Sequence, residues 1–237
     1  MPMPLNLHLN SFFALISLWG YNYSMKYVYC SGPLFCPEEI AGMTAIATVL
    51  EQAGFGTFVP HRDGLERFVM GLVNTPLNNN IFKARDAVNA AIFALDCFQI
   101  IRRCEYFVLN MNGRVPDEGA VAEAGIAFAV GKPIVLYKND RRSVFKGLDN
   151  SMITGLSNIK PVHDINNLPG ALLKAERAMN IPGHATRPAL PDNVLRIALT
   201  GEKIWRFLQK LPKRTGPKKE IEDLIKNIVD ICEQAES

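Results

Sequence analysis

Asp117-Glu-Gly-Ala-Val-Ala-Glu123-Ala-Gly-Ile-Ala-Phe-Ala-Val-Gly131-Lys-Pro133 is the stretch whose reading decides this fold. The apolar run Tyr106-Phe-Val-Leu-Asn110 precedes it, and Ile134-Val-Leu-Tyr137 follows it. That order reads as strand, loop, helix, strand, with Gly131 closing the helix. The two acids Asp117 and Glu123 straddle the point where the loop becomes a helix. A carboxylate there stands at the mouth of an α/β sheet, where such folds bind ligands. The positive end of the helix dipole favours its ionised form. An ionised Glu in a ligand crevice is a candidate nucleophile or base.

Working outward, Lys26-Tyr-Val-Tyr-Cys30 is a strand that Ser31-Gly-Pro33 breaks. Pro37-Glu-Glu39 opens a helix running to about Ala53, since Pro and acids suit a first turn, and Gly54 ends it. Gly56-Thr-Phe-Val-Pro60 is a second short strand, His61-Arg-Asp-Gly64 a turn, and residues 65–80 a loop. A helix from about Ile81 to Cys104, with room for a break, leads to the Tyr106 strand. Beyond Tyr137 the pattern predicts a short strand near Asn158–Val162 and a helix from Asn167 to near Asn180. Strands alternating with helices predict an α/β fold, a parallel sheet with helices on both faces.

Ile181 to Pro191 carries three prolines and reads as a linker. Residues 193–211 and 218–234 are then amphipathic, the second with Ile221, Leu224, Ile225, Ile228, Val229 and Cys232 at helical spacing. The expected organisation is an N-terminal extension over 1–25, an α/β domain over 26–180, and a linker with a C-terminal helical hairpin over 181–237.

The 237 residues are 48% hydrophobic and 21% charged, enough apolar matter for a real core. A net charge of +3 is too small to argue for nucleic acid. The basic cluster Lys210, Lys213, Arg214, Lys218 and Lys219 reads as a solvated interhelical turn. The cysteine number is odd and no pair has CxxC spacing, so neither a disulfide framework nor a zinc site is expected. A reducing cytoplasm is the simplest compartment. No apolar run reaches the ~18 residues of a membrane-span candidate. The nearest is Phe12–Trp19, and Met1 to Asn10 has no Lys or Arg ahead of it. Met25-Lys-Tyr-Val-Tyr29 resembles a natural start. Residues 1–24 therefore read first as an upstream extension, then as an ordered accessory segment, then as a signal peptide.

The usual phosphate loop, dinucleotide fingerprint, HExxH and GxSxG motifs are absent. No cofactor and no metal are expected. What remains is a set of acids with a tyrosine. Taken singly, each has an ordinary explanation. Asp117 suits an N-cap. Glu123 suits a solvated residue favoured by the dipole, Tyr29 a buried strand tyrosine, and Asp96 an exposed helix residue. The Gly125, Ala127 and Ala129 spacing suits close helix packing. Cys30 and Cys36 suit small buried hydrophobes.

Their order and spacing say more. Val28-Tyr-Cys-Ser-Gly-Pro-Leu-Phe35, Pro60-His-Arg-Asp-Gly64, Asp96 and the Asp117–Pro133 motif together resemble the nucleoside 2-deoxyribosyltransferases. The resemblance covers roughly residues 26–165 and implies a flavodoxin-like (Rossmann-like) α/β domain. It implies Glu123 as the nucleophile that attacks the anomeric carbon, and Tyr29 as the hydroxyl that holds and tunes it. Asp96 would exchange a proton with the nucleobase, and Asp117 would hydrogen-bond sugar hydroxyls. Gly32, Phe35 and Gly119 would line the substrate, and Asn150 would be lent to the sugar pocket by a neighbouring subunit. The implied partners are a deoxynucleoside and a free nucleobase in a homo-oligomer, a dimer or higher, serving nucleotide salvage, with no nucleic acid and no membrane. The rival activities are an N-glycoside hydrolase acting on deoxynucleosides or their 5′-monophosphates, and a non-catalytic nucleotide-sensing domain.

Overall fold

Strict alternation along the strands sorts the core into two layers. The computed structural model describes residues 25–66, 80–113, 115–140, 142, 149–179, 189–211 and 218–236. Residues 1–24 of the N-terminal extension, most of the 65–80 loop, most of the proline linker and the turn with Lys213 and Arg214 lie outside the described residues.

Four strands, β1 (Tyr27–Ser31), β2 (Gly56–Phe58), β3 (Tyr106–Asn110) and β4 (Ile134–Tyr137), pair in the order β2-β1-β3-β4. All three pairings are parallel. This is the flavodoxin-like arrangement, in which the sequence order reverses between β1 and β3. Val28, Cys30, Tyr106, Val108, Val135 and Tyr137 form one buried layer. They pack against α1 (Pro37–Gln52) and α6 (Leu168–Met179). Tyr29, Phe58, Phe107, Leu109, Ile134 and Leu136 form the other. They meet α3 (Asn80–Phe98) and α4 (Glu118–Ala129). The expected parallel sheet with helices on both faces is what the chain builds.

Local chemistry fixes the helix ends. In α1, Pro37 occupies the first turn, and Glu39 Oε2 accepts from the backbone N–H groups of Phe35 (2.7 Å) and Cys36 (3.1 Å). Gly54 ends it at φ +88°, a conformation that favours glycine. In α4, Ala120, Ala124 and Ala127 are the small residues that lie buried against the sheet. Gly125 and Ala129 do not share that role: a Cβ on Gly125 would meet nothing within 4 Å, and Ala129 is exposed. The packing stripe of α4 follows the i, i+4, i+7 face, and the alternate spacing 125, 127, 129 leaves it.

Other expectations are adjusted. The turn after β2 closes into a short helix, α2 (Pro60–Asp63). The long helix before β3 changes to a π-turn at Gln99–Arg103. A π-turn holds one more residue per turn, so the helix reaches β3 without a separate break. No strand forms at 158–162; Val162 makes only an isolated parallel bridge to Tyr137. A short helix, α5 (Ser151–Thr154), interrupts the connection before it.

The C-terminal helices α7 (Asp192–Leu208) and α8 (Lys218–Glu236) pack on α3. Ile204, Leu208, Leu224 and Ile228 join the α3–α4 core layer. At the crossing, a Cβ on Gly201 would overlap the Ala94 carbonyl oxygen and stand 2.7 Å from Phe98 Cβ, so glycine is what permits this approach. Trp205 and Phe58 meet in a T-shaped pair (centroids 5.8 Å apart), and the Arg103 guanidinium lies 4.6 Å from the Trp205 ring centroid.

Candidate active site

Residues two apart on a strand share a face, so β1 delivers Tyr29 and Ser31 to the same side of the sheet. Tyr29 lies in mid-strand, and Ser31 ends the strand. Phe58, Tyr29 and Phe107 are partners in register on three neighbouring strands, and their rings form a row. Both centroid separations are 5.4 Å, with interplanar angles of 29° and 5°. The row holds the tyrosine ring, and its hydroxyl donates to Glu123 Oε1 at 2.8 Å. Ser31 Oγ donates to the other oxygen, Oε2, at 2.5 Å.

Asp117 is the N-cap of α4, its carboxylate accepting from the Ala120 N–H at 2.7 Å. The helix starts at Glu118, which puts Glu123 in the second turn. The helix dipole acts mainly within the first turn, so it does not set the charge of Glu123. Burial does: it lifts the carboxyl to about 7, against hydrogen bonds from Ser31 and Tyr29 that lower it and with the charges of Glu66 and Asp117 that raise it further. The expectation of a dipole-favoured carboxylate is thereby corrected. Glu123 is an acid poised near neutrality.

Asp96 is no exposed helix residue. It is 8% exposed, and its Oδ1 has no hydrogen-bond partner. Burial first, then the charges of Glu66 and Glu123, pushes its pKa well above the ordinary carboxylate value and so favours its protonated form. Burial also raises Tyr29, with help from Asp96 and Glu123, and keeps its hydroxyl a donor.

A cavity of about 310 Å³ opens over these groups. Gly32, Leu34 and Phe35 line it from the loop after β1, Pro60 and Glu66 from the segment after β2, and Ile92 and Asp96 from α3. Asp117, Gly119, Ala120 and Glu123 line it from the start of α4. It sits beyond the carboxyl end of β1, at the switch point between β1 and β3. A Cβ on Gly32 would lie 2.7 Å from both Asn110 Cβ and Met43 Sδ, which explains a glycine where the chain leaves the sheet. Phe35 is 83% exposed, an apolar surface at the rim. A second cavity of about 250 Å³ adjoins the first, sharing Ile92, Asp96, Gly119 and Glu123. Among the described residues, no group of three or more His, Cys, Asp or Glu is arranged to hold a metal ion.

A partly buried carboxylate held by two hydroxyls, sharing a cavity wall with a second, deeply buried carboxyl, can form and release a covalent ester while a proton moves at the second group. The sequence model of the nucleoside 2-deoxyribosyltransferases matches residues 28–181. The chain belongs to the nucleoside 2-deoxyribosyltransferase family. Two of the solved structures similar to it illustrate the likeness. A conserved protein from Enterococcus faecalis V583 is 16% identical, with a TM-score of 0.41, over 64% of this chain and 99% of its own. A 2-deoxyribosyltransferase from the psychrotolerant bacterium Bacillus psychrosaccharolyticus is 18% identical, with a TM-score of 0.41, over 69% of this chain and 99% of its own. No curated protein matches the chain.

Of the residues that the family resemblance implied, Tyr29, Asp96, Asp117 and Glu123 come together here, with Gly32, Phe35 and Gly119 on the cavity wall. Asn150 does not line the cavity of its own chain. It caps α5, accepting from the Met152 N–H at 2.9 Å. Two participants were not read from the sequence. Ser31 had been read only as a strand breaker, although the two-residue period from Tyr29 puts it on the same face. Glu66 fell in a stretch read as loop, and nothing in its neighbours marks it.

Proposed function

We propose that this deoxyribosyltransferase-family chain exchanges the nucleobase on a 2′-deoxyribonucleoside through a covalent glycosyl–Glu123 intermediate. The observation that carries the reading is Glu123 itself: a carboxyl near pKa 7, gripped on both oxygens, on a cavity wall shared with Asp96, whose burial favours its protonated form. A carboxylate oxygen of Glu123 attacks C1′ of the sugar. The C1′–N bond breaks, its electron pair goes to the base nitrogen, and Asp96 gives the leaving base its proton. A second base then attacks C1′ with its own ring nitrogen and passes a proton back to Asp96. The ester bond breaks, and Glu123 returns as a carboxylate. Two inversions give net retention. Asp117, at the cavity wall, is suited to accept from sugar hydroxyls while it caps α4.

The described cavity lining holds acids and neither Lys nor Arg, which supports an unphosphorylated nucleoside over its 5′-monophosphate. Asn150 is exposed, and so is Met152 (79%), which supports a homo-oligomer in which a neighbour's Asn150 completes the sugar pocket. None of the five cysteines is disulfide-bonded, in keeping with a cytoplasmic protein. Among the described residues, no helix is long and apolar enough to cross a membrane.

The test is incubation with a deoxynucleoside with and without a second free base. A new deoxynucleoside is the expected product. Free deoxyribose formed regardless of acceptor would make the protein a hydrolase, and no turnover of any deoxynucleoside or monophosphate would make it a sensor.

A further inference from the structure

Glu66 lines the same cavity as Asp96 and Glu123, yet the exchange chemistry gives it no task. Its Oε2 is buried without a hydrogen-bond partner, and so is Oδ1 of Asp96. The carboxyl is seated deliberately: a Cβ on Gly64 would overlap Glu66 Oε2 and stand 2.6 Å from the Pro60 carbonyl oxygen. Glycine at 64 is what lets this acid tuck against the wall. A buried carboxyl oxygen without a donor is costly until a donor reaches it. Among the described lining residues there is no Lys, Arg, His, Asn or Gln to supply one. Among the described residues, that leaves a ligand to bring it.

The reading above places the sugar at Glu123 and Asp117 and the base beside Asp96. Glu66 raises Asp96 through its charge, so the two carboxyls lie within each other's field and do not both ionise readily. Burial raises both carboxyls, and it raises the more deeply buried Asp96 further, so of the two Asp96 is the stronger holder of a proton. Glu66 is left as an acceptor-only group at the edge of the base. Such a group takes a hydrogen bond from an amino group and repels a carbonyl oxygen, as Glu does towards the exocyclic amine of cytosine.

We propose that Glu66 selects nucleobases bearing an exocyclic amino group over their oxo counterparts. The inference rests on the deoxyribosyltransferase reading and names its substrate class: 6-aminopurine and 4-aminopyrimidine 2′-deoxynucleosides. A site that hydrogen-bonds an N–H rejects an analogue lacking it strongly, because its own buried acceptor is then left unpaired.

Matched pairs make the test. The kcat/KM of the full chain is measured for 2′-deoxyadenosine against 2′-deoxyinosine, and for 2′-deoxycytidine against 2′-deoxyuridine, with a common acceptor base. Calorimetric binding of adenine and hypoxanthine is measured alongside. The amino member of a turned-over pair should win by at least about tenfold. Glu66→Gln, which presents a donor as well as an acceptor, should bring the ratio near one, whatever it does to the absolute rates. Equal rates for both members in the unaltered chain, or a ratio unchanged in Glu66→Gln, overturns the assignment even though exchange proceeds. If no deoxynucleoside turns over, the transferase reading fails on its own. The binding arm then decides: an adenine preference lost in Glu66→Gln upholds the role of Glu66, and equal binding ends it.

Discussion

Two tyrosine–glutamate pairs stand on opposite faces of one sheet, and they behave as opposites. On one face, Tyr106 donates to Glu176 Oε2 at 2.8 Å, and Lys26 donates to both, at 3.0 Å to the phenol and 2.7 Å to Glu176 Oε1. On the other, Tyr29 and Ser31 grip Glu123, and among the described residues no cation pairs with it. Burial works against ionisation at Glu176, but the hydrogen bonds from Lys26 and Tyr106 outweigh it and hold the acid below its ordinary range. At Glu123 burial wins and lifts the carboxyl to about 7. One pair is a charge-neutralised tie between the start of β1, the start of β3 and α6. The other keeps an uncompensated carboxyl in a cavity. The missing cation is what separates a tie from a reactive group.

The strongest challenge to that contrast is Glu123→Gln. Removing the nucleophile should lower kcat by more than about 10⁴-fold in a base-exchange assay. The same change should stabilise the fold above neutrality. The folded carboxyl sits near 7 against an ordinary 4.5, so the native state binds more protons than the unfolded chain between those values. Stability from this group is therefore whole below 4.5 and lost as the pH rises through 7. At pH 8 the variant should gain up to about 3 kcal/mol over the native chain in denaturant unfolding, and almost nothing at pH 4.5. A variant that is less stable at pH 8 would show that the carboxyl is compensated after all.

Asp96→Asn keeps shape and removes the exchangeable proton. Its kcat should fall by about 10²–10⁴-fold, and the alkaline limb of the pH profile should disappear with it. An intact alkaline limb would assign the proton to another group. Next in size are Ser31→Ala and Tyr29→Phe, each taking one charge-assisted hydrogen bond from Glu123. Losses of about 10–100-fold are expected, with the acid limb of kcat/KM moving to higher pH, because each hydroxyl lowers the carboxyl. A limb that stays in place would mean that the hydroxyls do not tune the acid. The smallest effect belongs to the other face. Lys26→Met should cost about 1 kcal/mol or less of stability, since Lys26 and Glu176 side chains are 36% and 32% exposed, and should leave exchange rates within about twofold. A large loss of rate would mean that the two faces communicate through the sheet.

The architecture was legible because apolar runs of strand length alternated with helical stretches, and because Pro37, Gly54 and Gly131 punctuate them. Tyr29, Asp96, Asp117 and Glu123 were legible only through the family pattern; singly, each fitted a cap, a core or a surface. The charge state of Glu123 was misread because position along a helix is visible in sequence, whereas burial comes from what packs over it. Ser31 was within reach of the strand period. Glu66 was not, since its place depends on the Gly64 backbone and on a wall built by α3. The fifth strand failed for a related reason: Val162 reaches Tyr137, but its neighbours give the pairing no length.

The approach at Gly201 carries a consequence in time. A polypeptide emerges from the ribosome amino end first, and everything in the family-matched segment 28–181 is made before α7. Yet α3, which carries Asp96, receives its outer backing from Gly201, Ile204 and Leu208, and Phe58 meets Trp205 from the same helix. A nascent chain bearing every acid of the site therefore still lacks the wall that steadies one of them. Competence should arrive only after α7 and α8 have been made and docked, so a segment synthesised after the whole family-matched region completes the surroundings of β1.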